Sequence, residues 1–258
     1  MNESEVISMV KEGRVFDLSP KSFEGRRMTI PEVEAIFGSF DAFWQYKGEP
    51  RPEKPHALLK SGMHSNGFIM CKAVLDYPGL CMIFAHEMYK AITEKMSAEV
   101  LKKIGFVASS AYSALDLGYC LSWLLSQEYN RKVKRIMAEK DDKGNPTIIR
   151  GGIDSNLIGL VINELMTTAS GSTLETKVAV LKCNGDNPAP VVMDLSFVLM
   201  HRSRDLQLAD GSTVVPVFHF DIENFDVPKG KPCPYCEAGS EAIKPKNGNN
   251  WQRLHGLA

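Results

Sequence analysis

The sequence predicts an α/β fold: a doubly wound, mostly parallel sheet with a helical N-terminal extension and a C-terminal β hairpin and loop tail. Three observations predict it. Short apolar runs alternate with longer segments of helical spacing. The run NLIGLVIN, 156–163, is apolar on successive positions, as a strand covered on both faces requires. A chain of 258 residues with 44% apolar and 24% charged content can fill one large domain, or one domain with an extension.

Residues 1–55 carry scattered aromatics (Phe16, Phe23, Phe37, Phe40, Phe43, Trp44, Tyr46) and end in the proline and charge cluster KGEPRPEKP. They read as a helical extension packed through those rings. Within them TIPEVEAIFGSF predicts a helix, with Thr29 as its cap, Pro31 in the first turn and Gly38 at the end. The main domain is expected over 56–258, as a first segment (56–78), a core (79–225) and a tail (226–258). In the core, Met82, Ile83, Ala85, Tyr89 and Ile92 recur at helical spacing between Leu80 and Lys95. IGFVASSA (104–111) follows as a strand, SALDLGYCLSWLLSQEYN (113–130) as a helix and KVKRIMAEKD (132–141) as a strand ending in charge. After the polar stretch DDKGNPTIIRGG come the buried strand at 156–163 and the helix STLETKVAVLKC (172–183). APVVMDLSFVLMHRS is a further strand. LQLADGSTVVPVF holds an Asp210-Gly211 turn between alternating runs and predicts a hairpin.

Composition excludes some functions. With 30 Lys plus Arg against 31 Asp plus Glu, no global positive field is available to hold a nucleic-acid backbone, so no nucleic-acid partner is expected. No run of eighteen apolar residues occurs, and the N-terminal stretch MNESEVISMVKEGRVF has charges where a leader needs apolar residues. A cytoplasmic protein without a membrane partner is expected. The six cysteines are scattered through a chain large enough to fold without staples, and they are read as reduced thiols.

The segment GLVINELMTTASGSTLE, 159–175, holds the most informative chemistry. A buried strand reaches an acidic residue and then a loop whose hydroxyls (Thr167, Thr168, Ser170, Ser172, Thr173) and backbone N–H groups around Gly171 precede a helix. Such a loop can cradle a phosphate. The plainer reading, a Ser/Thr-rich segment that only caps the helix, is equally compatible with the spacing.

This strand, acidic step, Thr-Thr loop and helix together resemble the phosphoribosyl-pyrophosphate (PRPP) motif of type I phosphoribosyltransferases. Three further stretches, in order, resemble the orotate phosphoribosyltransferase branch: LLKSGMHSNGFIMCKAVL (58–75), VASSAYSALDLGYCLS (107–122) and MAEKDDKG (137–144). The tail PCPYCEAGSEAIKPK is similar to the end of some members, and the resemblance covers about His56 to Lys246. It implies transfer of a phosphoribosyl group between PRPP and a nucleobase, a pyrimidine such as orotate first among them, with Mg²⁺ and a homodimer. Asn163 and Glu164 then take the place of the acidic pair on the ribose. Thr167, Thr168, Ala169, Ser170, Gly171 and Ser172 take the 5′-phosphate loop. Ser109, Ser110, Ala111 and Tyr112 fall in the pyrophosphate loop. Lys140 and Lys143 fall in a mobile catalytic loop as cations for pyrophosphate, and Glu164 is counted with them as catalytic. Lys60, Phe68 and Arg150 are the expected base contacts.

The sequence also departs from that pattern. Asn163 stands where a second carboxylate is usual, Ala169 where glycine is usual, and SSAYSA lacks the glycines that let a backbone approach the ligand. A catalytically silent nucleotide-binding or regulatory protein is therefore the alternative reading. By the plainer account Lys140 and Lys143 are solvated charges. Cys233 and Cys236 have zinc-knuckle spacing without a second CxxC; His219 or His255 could complete a site only through the fold, so no metal ligand is assigned. His64 is held only as a possible substrate contact.

Overall fold

The computed structural model describes residues 1–110, 112, 114–148, 152–168 and 171–257. Their contacts divide into two compact units, Met1–Ser39 with Cys71–Phe220 and Phe40–Met70 with Asp221–Ala258.

The first unit is built on five strands: β1 (Ile104–Ser109), β2 (Lys134–Met137), β3 (Ile158–Met166), β4 (Val191–His201) and β5 (Thr213–His219). All neighbours are parallel, in the order β5-β4-β3-β1-β2. Its longer helices are α1 (Glu3–Lys11), α2 (Ile30–Gly38), α3 (Pro78–Lys95), α4 (Leu115–Glu128) and α5 (Ser172–Lys182). Side-chain alternation sends the two faces of β1 and β3 to different helices. Phe106, Ala108 and Val161 pack with Val180 of α5, whereas Gly118 of α4 lies against Ser109 and Ile162. Every residue of β1 is buried. This is the doubly wound, mostly parallel α/β sheet expected, and such sheets offer ligands the carboxyl edge of their strands.

Glycine fits β3 to its neighbour. A Cβ at Gly159 would stand 2.0 Å from the Phe106 ring, its partner in the β1–β3 register.

The N-terminal 39 residues belong to this unit. Thr29 stands at the N-cap of α2, where its N–H donates to Glu32 Oε2 at 2.8 Å, with Pro in the first turn. Phe37 meets Phe84 of α3 edge-on at 5.5 Å. Fully buried Glu87 accepts from Met28 N (2.8 Å), Lys90 Nζ (2.6 Å) and Arg27 Nε (3.3 Å), while Lys90 also donates to the Phe23 and Arg26 carbonyls. A buried carboxylate is tolerable only when bonded in this way. The grouping of contacts thus falls elsewhere than the sequence boundary at residue 55, because residues 1–39 pack on α3 and the core sheet while 40–55 pack in the second unit.

Two local expectations are refined. Around Gly211 (φ +84°) the chain forms a short hairpin, with an antiparallel bridge from Gln207 to Thr213 and backbone bonds from Leu208 N to Ser212 O and from Val214 N to Leu206 O, both 2.8 Å. Only its second run extends into a strand, β5, which pairs parallel with the edge of β4. The polar stretch after β2 also contains a small hairpin, Glu139–Lys140 paired antiparallel with Pro146–Thr147. Asp141 closes its tip by accepting from the Lys143 and Asn145 N–H groups.

The second unit holds a four-stranded sheet of two- and three-residue strands, in the order Asn224–Phe225, His64–Ser65, His56–Leu58, Ala242–Ile243. A separate antiparallel pair joins Phe43–Gln45 to Gly67–Ile69. Its core is aromatic: Trp44, Tyr46 and Tyr235 with Ala57, Ile243 and Leu254, flanked by Phe68, Phe225 and Trp251. The Trp44 indole N–H donates to the Leu254 carbonyl at 2.7 Å. All six cysteines are free thiols. Among the described residues no helix is long and apolar enough to cross a membrane.

Candidate active site

Parallel pairing brings the carboxyl ends of β1 and β3 side by side, Ser109 opposite Ile162. The next residues form a bonded junction. Asn163, 1% exposed, uses its whole amide. Its Oδ1 accepts from Ser110 Oγ (2.5 Å) and from Glu164 N (2.9 Å); its Nδ2 donates to Ser172 Oγ (2.8 Å) and Thr173 Oγ1 (2.9 Å). Two acceptor sites and two donor hydrogens are the full inventory of an amide. One side chain therefore ties the end of β1, the end of β3 and the first turn of α5.

This corrects the role drawn for Asn163 from the sequence. Its polar atoms are committed to protein partners, so it holds the site together and has none left to grip a sugar. Ser109 is corrected as well. Its buried side chain points to α4, where a Cβ at Gly118 would meet Ser109 Oγ at 2.8 Å, and its carbonyl accepts from Ala138 N. Successive strand residues face opposite ways, so one of the two serines had to turn inward.

Glu164 is half-buried at the end of β3, with Oε2 3.3 Å from Ser110 Oγ. Thr167 and Thr168 follow, half-buried, before Gly171 caps α5 by accepting from Glu175 N at 3.2 Å. Gly171 has extended backbone (φ −90°, ψ −158°). Beyond it the first N–H groups of an eleven-residue helix lack helical acceptors, the usual setting for an anion. Ala169 and Ser170 lie outside the described residues, as do Ala111 and Arg150.

On the other side of Ser110, Tyr112 has φ +71° and is 65% exposed. A loop without glycine thus takes through tyrosine the left-handed conformation that glycine adopts freely, and such strain is typical of functional loops. Lys140 Nζ sits 5.8 Å from the Tyr112 ring centroid, which brings the hairpin after β2 over this loop. Lys143 lies at the hairpin tip, exposed, with its backbone bound to Asp141. The Asp141 carboxyl is held below its usual range chiefly by the Asn145 N–H, so the tip carries both signs of charge.

The base contacts expected from the sequence lie in the second unit. Lys60 is exposed in the turn that links 56–58 to 64–65, where Gly62 (φ +83°) donates to the Leu59 carbonyl at 3.0 Å. Phe68 is half-buried, its ring centroid 6.0 Å from that of Trp251.

Of the sequence-predicted groups, the first unit therefore gathers Ser110, Asn163, Glu164, Ser172, Tyr112 and Lys140. Thr173, already among the loop hydroxyls singled out in the sequence, joins them as a partner of the Asn163 amide.

No family model matches the chain. It is similar to the orotate phosphoribosyltransferase of Helicobacter pylori (strain P12), 30% identical over 200 residues that cover 76% of this chain and 92% of that protein. It is also similar to the orotate phosphoribosyltransferase of Acidithiobacillus ferrooxidans, 26% identical over 218 residues, 84% of this chain and 97% of that one.

Proposed function

Because the chain belongs to the orotate phosphoribosyltransferase family, we propose that it transfers a phosphoribosyl group between PRPP and a pyrimidine base, orotate first among them. The observation that carries this reading is the constellation at the carboxyl edge: Glu164 beside Ser110, directly ahead of the hydroxyl loop and the amino end of α5.

In the reaction a ring nitrogen of the base bonds to C1′ of the ribose as the C1′–O bond to pyrophosphate breaks. The carbon becomes oxocarbenium-like, so the protein's work is positioning and neutralisation of the leaving group. The Glu164 carboxylate accepts from the ribose hydroxyls, the role that Asn163 cannot share. Thr167, Thr168 and the N–H groups at Gly171 and Ser172 hold the 5′-phosphate. The Ser110 to Tyr112 loop receives the pyrophosphate, with Lys140 and Lys143 as mobile counter-charges. Lys60 and Phe68 contact the base, Lys60 through charge and Phe68 through ring contact.

The donor set fits Mg²⁺ arriving on PRPP. Among the described residues Glu164 is the carboxylate bonded at the Ser110 and Asn163 junction, and no group of three metal-ligating side chains lies there. A hydrated ion held mainly by ligand oxygens suits so sparse a site. Bound there, it would neutralise pyrophosphate oxygens. We further propose that the protein works in the cytoplasm as a homodimer, a state light scattering on the full chain tests.

The saturation of Asn163 favours a second reading, a silent PRPP or nucleotide sensor. The deciding experiment is calorimetric titration of PRPP with Mg²⁺, followed by pyrophosphate release across orotate, uracil and purine bases. Binding with release on orotate supports the transferase; binding without release on any base supports the sensor. No binding overturns both.

A further inference from the structure

The second unit carries a cluster that the reaction does not use. His56, His64, Cys233 and Cys236 each aim one donor atom at a common point, with all four atoms within 4.8 Å of one another. His56 Nε2 lies 3.0 Å from His64 Nδ1 and 3.6 Å from each sulfur; Cys236 Sγ lies 3.2 Å from His64 Nδ1. Tetrahedral zinc, with bonds of about 2.3 Å to sulfur and about 2.05 Å to nitrogen, requires edges of roughly 3.3 Å between nitrogens and roughly 3.6 Å between nitrogen and sulfur. The four recorded edges agree to within a few tenths of an ångström.

Local structure explains the convergence. His64 pairs with Leu58 across an antiparallel ladder, and His56, two residues before Leu58, shares its face. The imidazoles are therefore diagonal neighbours on one surface of the sheet. Cys233 precedes a single helical turn that begins with Pro234 and places Cys236 three residues on, so both sulfurs leave the same side. The strand Ala242–Ile243 then runs beside His56 and Ala57.

The surrounding hydrogen bonds fix the reactive nitrogen of His56. Ser240 Oγ donates to the Lys54 carbonyl at 2.7 Å, so at 2.8 Å from His56 Nδ1 it must accept. Nδ1 carries the proton, and the Nε2 lone pair faces the sulfurs and His64. A second partner that sets the tautomer is the usual support of a metal-bound histidine. Without an ion, that buried lone pair would rest on the His64 imidazole at 3.0 Å and two weak thiol donors at 3.6 Å.

We propose that His56, His64, Cys233 and Cys236 form a structural Cys₂His₂ zinc site that staples the two chain segments of the second unit. Four protein ligands leave no open position, and mixed thiolate and imidazole donors select zinc. The need is evident in the unit itself: its sheet strands are two or three residues long, and its two segments are separated in the chain by residues 71–220. Small units of this kind depend on staples, and metal-binding energy then acts as folding energy. The exposed Cys236 gives the ion its entry. His219 and His255, the sequence's candidates, are elsewhere: His219 Nδ1 is 2.9 Å from His201 Nδ1, and the His255 ring meets Trp251 edge-on at 4.8 Å.

The test uses the full chain, purified under reducing conditions. Elemental analysis is expected to give one zinc per chain, and Co²⁺ added to the stripped protein to give the visible bands of tetrahedral thiolate coordination. Cys236→Ser and His64→Ala should lose zinc while Cys183→Ser keeps it. Stripping should speed hydrogen exchange in 56–65 and 242–243 but leave 104–109 and 158–166 unchanged. The proposal is overturned if reduced protein takes up neither Zn²⁺ nor Co²⁺, if the chain carrying both Cys236→Ser and His64→Ala retains the metal, or if stripping changes no exchange rate in the second unit.

Discussion

Replacing Asn163 by alanine tests the junction at the strand ends. The substitution removes four hydrogen bonds and leaves two buried hydroxyls, Ser110 and Thr173 (3% and 2% exposed), without their partner. Each stranded group costs roughly 1–3 kcal/mol, and rotation of a hydroxyl toward another acceptor recovers part of it. About 3 kcal/mol is therefore expected, which at roughly 2–4 °C per kcal/mol lowers Tm by about 6–12 °C. PRPP affinity should fall with it, because β1 and α5 are no longer held in register. Glu164→Gln is the contrast: the side chain keeps its shape at a half-buried strand end, so stability should change by about 1 kcal/mol or less while PRPP-dependent turnover collapses. Differential scanning fluorimetry paired with pyrophosphate release reads both. If Asn163→Ala melts with the wild type, or if Glu164→Gln loses Tm and turnover in proportion, the division into a structural Asn163 and a ligand-facing Glu164 is wrong.

Other outcomes follow from the same geometry. Lys60→Ala should raise KM for the base and leave PRPP affinity intact; the reverse pattern, read by titrating each substrate separately, would remove it from the base site. Gly159→Ala should destabilise by about 3 kcal/mol or abolish folding, since its Cβ would enter the Phe106 ring, and a near-neutral melt would contradict the β1–β3 register. Burial raises the Asp210 pKa, but the Lys177 ammonium at 2.8 Å and Ser212 outweigh it and hold the carboxyl at about 2. A depressed folded-state pKa contributes stability above the ordinary value of 3.8 that is lost as pH falls toward 2. Urea midpoints of the wild type should accordingly drop over that window, and Asp210→Asn should flatten the drop.

What the sequence made legible was local. The capped helix at 30–38, the apolar first half of β3 and the helix after it follow from spacing and caps within a dozen residues, and the parallel order follows from the alternation of strand and helix. The short hairpin at Gly211 shows the limit, because turn chemistry fixes the reversal while the open edge of β4 decides which run becomes a strand of the sheet. The zinc ligands were hidden by distance, since a CxxC at 233–236 gives no hint that its partners stand at 56 and 64.

Asn163 is the most instructive case: the sequence placed it with Glu164 on the ribose while marking it as a departure from the usual carboxylate, and the fold gives that departure a structural reason. In the fold the position is buried and must satisfy a hydroxyl and an N–H on one side and two hydroxyls on the other, which a neutral amide does without burying charge beside Glu164. Asn163→Asp poses the question directly. Ser172 and Thr173 can turn to donate, so the bonding survives, but a second carboxylate next to Glu164 raises the pKa of the pair. A raised folded-state pKa means the charge penalty is absent at low pH and grows as pH rises through it, so the variant should approach wild-type Tm near about pH 5 and fall below it near about pH 8. A variant as stable as wild type at both values would mean that the position tolerates the charge, and the asparagine would then need an explanation other than the cost of burying a carboxylate.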